Sequence, residues 1–395
     1  MYSTYLRVYF FVLQVFSLFL PFDFVRVEAF YKANVFRKCY ALILTAIILL
    51  GCAYSEWFNA MTIYKTSRPS NVILTVLENT FLTAICVISV LSSEFLHKEN
   101  WGQYLKIQNI LKCKLHIRKM KRKSSHVVLE LFLGHVLLLL IIGVNQYGEA
   151  VYDDTKISLP PRIMHAFVKN VFYYYIFLIT SIIYNTILLL RNDFVSLKVF
   201  LMEAFGTSKY PYFNFLGVDR PAPLFVVGPK ASHCLVEATK VLNILFECVD
   251  ICNKVFGVVI LLMSFSTVIT ILSSINTTLI MMQEKTLTVE IFSNNVCEFF
   301  IFLIWMSFII SSCDLLKEEI DSVTKLCCKL QHLLPHTQVC KERIELLNMA
   351  HRISYGSLTI SAAGFYDVDL SLIISVFTNV GTYAIALIQF SMLHF

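Results

Sequence analysis

The sequence predicts an all-α membrane protein with seven transmembrane helices, a cytoplasmic N-terminus and an extracellular C-terminus. Three observations carry this. Hydrophobic residues make up 57% of the 395, and Asp, Glu, Lys and Arg only 15%, whereas soluble chains carry roughly 25% charged residues. The apolar residues gather into blocks close to the ~20 residues a helix needs to cross the hydrocarbon core. The Lys and Arg residues fall mostly on one side of those blocks.

The blocks run over residues 39–58, 72–93, 127–146, 169–190, 255–281, 295–313 and 368–393. Open strands would leave backbone groups unpaired in lipid, and the runs lack the alternation of a membrane β-barrel, so helices remain. An eighth apolar stretch, Val8 to Phe24, is shorter, interrupted by Gln14 and closed by Pro21 and Asp23. No small-x-small cleavage site follows it, while Arg26, Lys32, Arg37 and Lys38 do. An interfacial helix is the reading preferred over a signal peptide or an eighth span.

Orientation follows from positive charge, which is retained on the cytoplasmic side. Of the 33 Lys and Arg residues, 27 lie in segments on the N-terminal side. The opposite side has Lys65, Arg68, Lys156, Arg162, Lys169 and Lys285, offset by nearby acids such as Glu149, Asp153 and Glu290. Seven spans from a cytoplasmic start finish outside, opposite to a G-protein-coupled receptor. The last span also lacks both an Asn-Pro-x-x-Tyr motif and a retinal-binding lysine.

Other chemistry finds little support. The 12 cysteines lie in spans or on the cytoplasmic side, so no disulfide framework is implied. Cys328, His332, His336 and Cys340 have a metal-like spacing of four, but Pro335 interrupts the helix that spacing needs, and no metal is expected. Glycine-rich phosphate loops, Gly-x-Ser-x-Gly and His-Glu-x-x-His are absent from the sequence, which argues against an enzyme or a cofactor. The basic run from Lys112 to Lys123 suits anionic inner-leaflet lipid better than nucleic acid. A sequon at Asn276-Thr277-Thr278 faces outward but abuts span five.

The cytoplasmic connections are long and periodic. Leu235, Ala238, Val241, Leu242, Leu245, Val249 and Cys252 form one apolar stripe leading into span five. Leu315, Leu316, Ile320, Val323, Leu326 and Leu330 form a second below span six, and Tyr104, Ile107, Leu111 and Leu115 a third. Stripes need partners, so these helices are expected to pack into an inner anchor layer. Residues 206–229, with four prolines, read as irregular. The expected organisation is a cytoplasmic segment with an interfacial helix at 1–38, spans one to six with their connections at 39–313, anchor helices at 314–367, and the seventh span at 368–395.

Span seven differs in carrying polar side chains on a helical repeat: Ser375, Thr378, Thr382 and Gln389, with Ile385 filling the remaining step. Polar groups in lipid face a partner helix or a water path. Packing and pore lining both account for such a stripe, and only the pore demands an oligomer. The residues around it resemble a known family. Thr382-Tyr383, five apolar residues and Gln389-Phe390 look like the signature that closes insect gustatory receptors. Gly364 to Asp369, and His233 to Leu272, are similar to that family's approaches to spans seven and five.

The resemblance implies a tetrameric, ligand-gated, nonselective cation channel in the plasma membrane of chemosensory neurons, with span seven around one pore and no G protein required. It places Phe390 as the hydrophobic block and Gln389 as the polar residue facing the open path. Thr382 and Tyr383 support the helix, and Thr378 and Ile385 share the pore face. The sugar-sensing branch has Glu after Thr-Tyr where this chain has Ala384, so bitter or other non-sugar tastants are expected. Fructose-type, pheromone and odorant-receptor-like channels are the nearest alternatives. An alternating-access carrier is the alternative from another class, although no repeated halves are evident. The permeants would be monovalent and divalent cations, the assembly homotetrameric or heterotetrameric, and membrane lipid the surroundings.

The family's pocket lies in the outward half among spans two to six. Polar and aromatic residues there are Glu78, Asn79, Asn145, Tyr147, His165, Asn170, Tyr173, Tyr174, Asn276, Asn295 and Glu298. Glu78, Asn170 and Glu298 are favoured, being polar within a span, where solvation is poor. For any of them, interfacial anchoring or simple hydration is the competing account.

Overall fold

Residues 35–62, 64, 68–114, 134, 136, 143, 159–205, 229–283, 289–334, 341–356 and 358–393 are described in this computed structural model. They form α1 (Val35–Thr62), α2 (Pro69–Leu91), α3 (Lys98–Lys114), α4 (Leu159–Ala204), α5 (Pro229–Gln283), α6 (Val289–Leu333), α7 (Lys341–Tyr355) and α8 (Leu370–Leu393). A π-helical turn, Ser92–Leu96, joins α2 to α3. The only β pairing among the described residues is the isolated bridge Ser361–Asp367.

Five of these helices are long and apolar enough to cross a membrane, and α8 adds the apolar stretch Leu370–Ala386. They contain the predicted spans one, two, four, five, six and seven. The third, residues 127–146, lies outside the described residues apart from helical positions 134, 136 and 143, as do Val8 to Phe24 and residues 206–228. Large apolar side chains such as Leu42, Ile43, Ile47 and Leu50 on α1 are exposed in the protomer, a surface lipid would cover.

The helices outrun their spans. At about 1.5 Å per residue, the 55 residues of α5 reach about 80 Å, against a hydrocarbon core of about 30 Å. The excess is the inner layer the periodicity predicted. All seven residues of the α5 stripe are buried, as are Leu316, Ile320, Val323 and Leu330 of α6 and Tyr104, Ile107 and Leu111 of α3. Leu346, Met349 and Ile353 of α7 close the same core. At its surface, charged groups bridge helices: Lys198 meets Glu319 at 3.1 Å, and Lys114 meets Glu237 at 3.2 Å. The end of α6 at Leu333, two residues before Pro335, matches the break that proline was expected to cause.

Helix α5 is the hub, packing on α2, α3, α4, α6, α7 and α8. A tight turn before α8 is fastened to it. Asn253 on α5 donates to the Thr359 carbonyl at 2.9 Å and accepts from the Ser361 amide at 2.9 Å, acting like one rung of a strand. One helical turn on, Gly257 lets the turn approach so closely that a Cβ there would lie 2.8 Å from the Ala363 nitrogen. Ala363 and Gly364 close the turn at φ 52° and 78°. Asp369 then caps α8, accepting from the Ser371 amide at 3.0 Å. Lys317 lies 3.2 Å from the same carboxylate.

Candidate functional site

Two features stand out: a polar cluster near the end of the bundle remote from the anchor layer, and the exposed edge of α8. In the cluster, Glu298 of α6 accepts through one oxygen from Lys169 at 2.6 Å and from Tyr173 at 3.1 Å, both on α4. Glu78 of α2 is 8% exposed and accepts from Thr270 of α5 at 3.3 Å, with Ser273 a further donor. Four helices thus contribute one or two polar groups each. All sit within otherwise apolar runs, where an ionised side chain persists only when paired or hydrogen-bonded.

One to two helical turns deeper, the same helices line a closed, mostly apolar seam with no room for a water molecule. Ile85 lies seven residues beyond Glu78, Ile176 three beyond Tyr173, and Phe302 and Trp305 four and seven beyond Glu298. Met263, Ser266 and Thr267 precede Thr270 on the antiparallel α5. These spacings put each wall residue on the same helix face as its polar neighbour. Tyr173 meets Phe302 edge-on at 5.9 Å, and Phe302 meets Trp305 at 5.4 Å, so a chain of packed rings runs from the cluster to the seam. Drug-sized pockets run roughly 300–1,000 Å³, so a ligand must open this seam. The flexible side chains of Met263 and Met306 can yield. The Ser266 hydroxyl is fully buried and without a partner.

Of the residues expected at the pocket, Glu78, Tyr173 and Glu298 come together. Asn79 does not: it points to α1, donating to Glu56 at 2.6 Å, since successive helical residues diverge by about 100°. His165 also faces α1, 3.2 Å from Ser55 and stacked on Phe58 at 4.5 Å. Asn170 and Asn276 are buried, the latter with an amide nitrogen lacking a partner. Tyr174 is half-buried beside Phe177. Asn145, Tyr147 and the Asn295 side chain lie outside the described residues. Lys169, Thr270 and Ser266 were missed: the lysine was read as a loop charge, and hydroxyls in helices so often bond their own backbone that they signal little, as Thr267 does to Met263 at 2.8 Å.

On α8, Val376 and Val380 are buried against Ile271 of α5, with Val268, Leu272, Ile275 and Phe299 around them. The far edge carries Thr378, Thr382, Ile385 and Gln389 with Ser375 at its border, while Asn379 and Tyr383 lie nearer the valine face; all seven are exposed in the protomer. Thr378 and Thr382 satisfy their hydroxyls on the carbonyls four residues back, both at 2.9 Å. The Phe390 side chain lies outside the described residues. Of the metal-like set, Cys328 and His332 lie on α6, and His336 and Cys340 lie outside the described residues. Among the described residues no group of His, Cys, Asp and Glu is placed to hold a metal.

The fold matches two solved structures of the insect olfactory receptor OR5 from Machilis hrabei. One has a TM-score of 0.59 at 12% identity, covering 98% of this chain and 100% of that one. The other, in complex with eugenol, has a TM-score of 0.60 at 13% identity with the same coverage. No curated protein sequence matches the chain. The profile described as 7tm chemosensory receptor matches residues 6–394. This is a receptor family rather than an enzyme family, and the chain belongs to it.

Proposed function

We propose that the chain is a gustatory receptor acting as a ligand-gated, nonselective cation channel of the plasma membrane of chemosensory neurons, tuned to bitter or other non-sugar compounds. The observation that carries this is the polar edge of α8, turned away from its own protomer. One helix cannot enclose a pore, but four copies around an axis give Thr378, Thr382 and Gln389 a water-filled path, with Phe390 as the constriction that gates it. The Thr-Tyr and Gln-Phe signature supports the gustatory assignment. The olfactory-receptor neighbours favour a second reading, an odorant-sensing channel with the same architecture.

Coupling has a short route. Thr270 faces the polar cluster while its neighbour Ile271 packs on Val380 and Val376. A ligand that widens the space beneath the cluster displaces α5, and α5 bears directly on α8. The ligand selects the open state to the extent that it binds it better. The cluster, with Glu78, Tyr173, Glu298 and Lys169, is the proposed ligand site. Asn170 and Asn276, buried on α4 and α5, are secondary candidates. The inner helices are the proposed anchor joining subunits, homomeric or with related receptors.

The test is whole-cell current from cells expressing this chain, scanned with bitter compounds, sugars and amines while G-protein signalling is blocked. A persisting ligand-evoked cation current is expected. Silence from surface-expressed protein, alone and with related receptors, would remove the channel assignment.

A further inference from the structure

Three ionisable groups meet in the outer cluster, two carboxyls and one lysine. Lys169 is committed to Glu298 at 2.6 Å, and Tyr173 shares that oxygen at 3.1 Å. Glu78 is left with neutral donors only, Thr270 at 3.3 Å and Ser273. Among the described residues no Lys or Arg forms an ion pair with it. With Lys169 paired to Glu298, Glu78 at 8% exposure is left without a cation bonded to it. A carboxyl so buried either keeps its proton or is ionised by a cation that joins it.

What lies beneath is suited to a cation with an apolar body. The space below Glu78 is walled by the rings of Phe302 and Trp305, whose faces attract a positive charge as well as hydrocarbon. An independent sign of unmet polarity along this seam is Ser266, fully buried, lining it and with its hydroxyl unmatched. A sugar would need many hydrogen-bonding partners where the seam offers two hydroxyls, Ser266 and Thr267. A carboxylate ligand would meet two carboxyl groups against one lysine.

We infer that the pocket selects amphiphilic organic cations, the ammonium group seated at Glu78 and the apolar body running inward against Phe302 and Trp305. This rests on the proposed function's placement of the ligand site, and adds to it the charge and shape of the ligand.

The experiment measures binding, independently of current, to the purified full-length chain in lipid nanodiscs. The probes are benzyl-, phenethyl- and naphthylmethyl-trimethylammonium, each paired with the neutral compound in which carbon replaces nitrogen. At least one cation is expected to bind tenfold or more tightly than its neutral partner. Glu78→Gln abolishes that preference, and Glu78→Asp, which keeps the charge, retains most of it. Size-exclusion profiles matching the unaltered chain exclude misfolding as the cause. Equal binding of neutral partners, a preference that survives Glu78→Gln, or no binding by any cation would overturn the inference. Recorded currents separate the two claims: cation binding at Glu78 without current contradicts the gating reading alone, whereas current evoked only by neutral compounds contradicts the cation pocket alone.

Discussion

The turn clamped to α5 offers the sharpest test of how α8 is held. Asn253→Ala removes two hydrogen bonds to backbone groups, at 2.9 Å each. At about 1 kcal/mol per bond the loss is about 2 kcal/mol. Gly257→Ala attacks the same contact by another route, because its new Cβ would sit 2.8 Å from the Ala363 nitrogen and 3.1 Å from its Cα. Those are backbone atoms that cannot swing aside, so the turn must lift, and the Asn253 bonds go with it. Each single variant should therefore lose about 2 kcal/mol, and the double variant little more, since one clamp can be lost only once. Thermal unfolding of the purified chain in detergent reads this as a fall of a few degrees, nearly equal in all three variants. Additive losses, or an Asn253→Ala variant as stable as the parent, would refute a shared clamp.

Three further outcomes follow from the same structure. Lys169→Met strands Glu298 in an apolar bundle and should cost about 1–3 kcal/mol, the figure for a buried pair reduced because the lysine side chain is 31% exposed; in the same unfolding assay, adding Glu298→Gln should recover much of the loss, and a double variant worse than the single would contradict the pairing. Phe390→Ala should raise basal conductance, and unchanged resting current from well-expressed protein would count against its gate role. Asn276, 5% exposed within α5, should carry no glycan, so glycosidase treatment should leave the electrophoretic mobility unchanged, and a shift abolished by Asn276→Gln would contradict its burial.

Much of this architecture was legible because lipid and helix periodicity impose simple rules. The stripe from Leu235 to Cys252 could be read at 3.6-residue spacing, and every member is buried. Glu78 and Glu298 stood out as carboxylates inside apolar runs, which is costly enough to require partners. Their partners were less visible. Lys169 sits at a predicted span end, where a positive charge ordinarily marks topology, and only the fold shows it turned inward to Glu298. Asn79 looked equivalent to Glu78, yet the helical rotation between neighbours sends it to Glu56. The Asn253 clamp joins residues 106 and 108 apart in sequence, and an asparagine near a helical glycine has no local pattern announcing such a contact.

The central claim, that the polar edge of α8 lines a shared conduit, is tested most directly by cysteine substitution along that helix in the purified chain reconstituted in liposomes. Charged thiol reagents should block ligand-evoked current at Thr378→Cys and Thr382→Cys, and leave it intact at Val376→Cys and Val380→Cys, which face α5. Block at the valine positions, or full current from labelled Thr378→Cys and Thr382→Cys channels, would contradict a pore built from this edge.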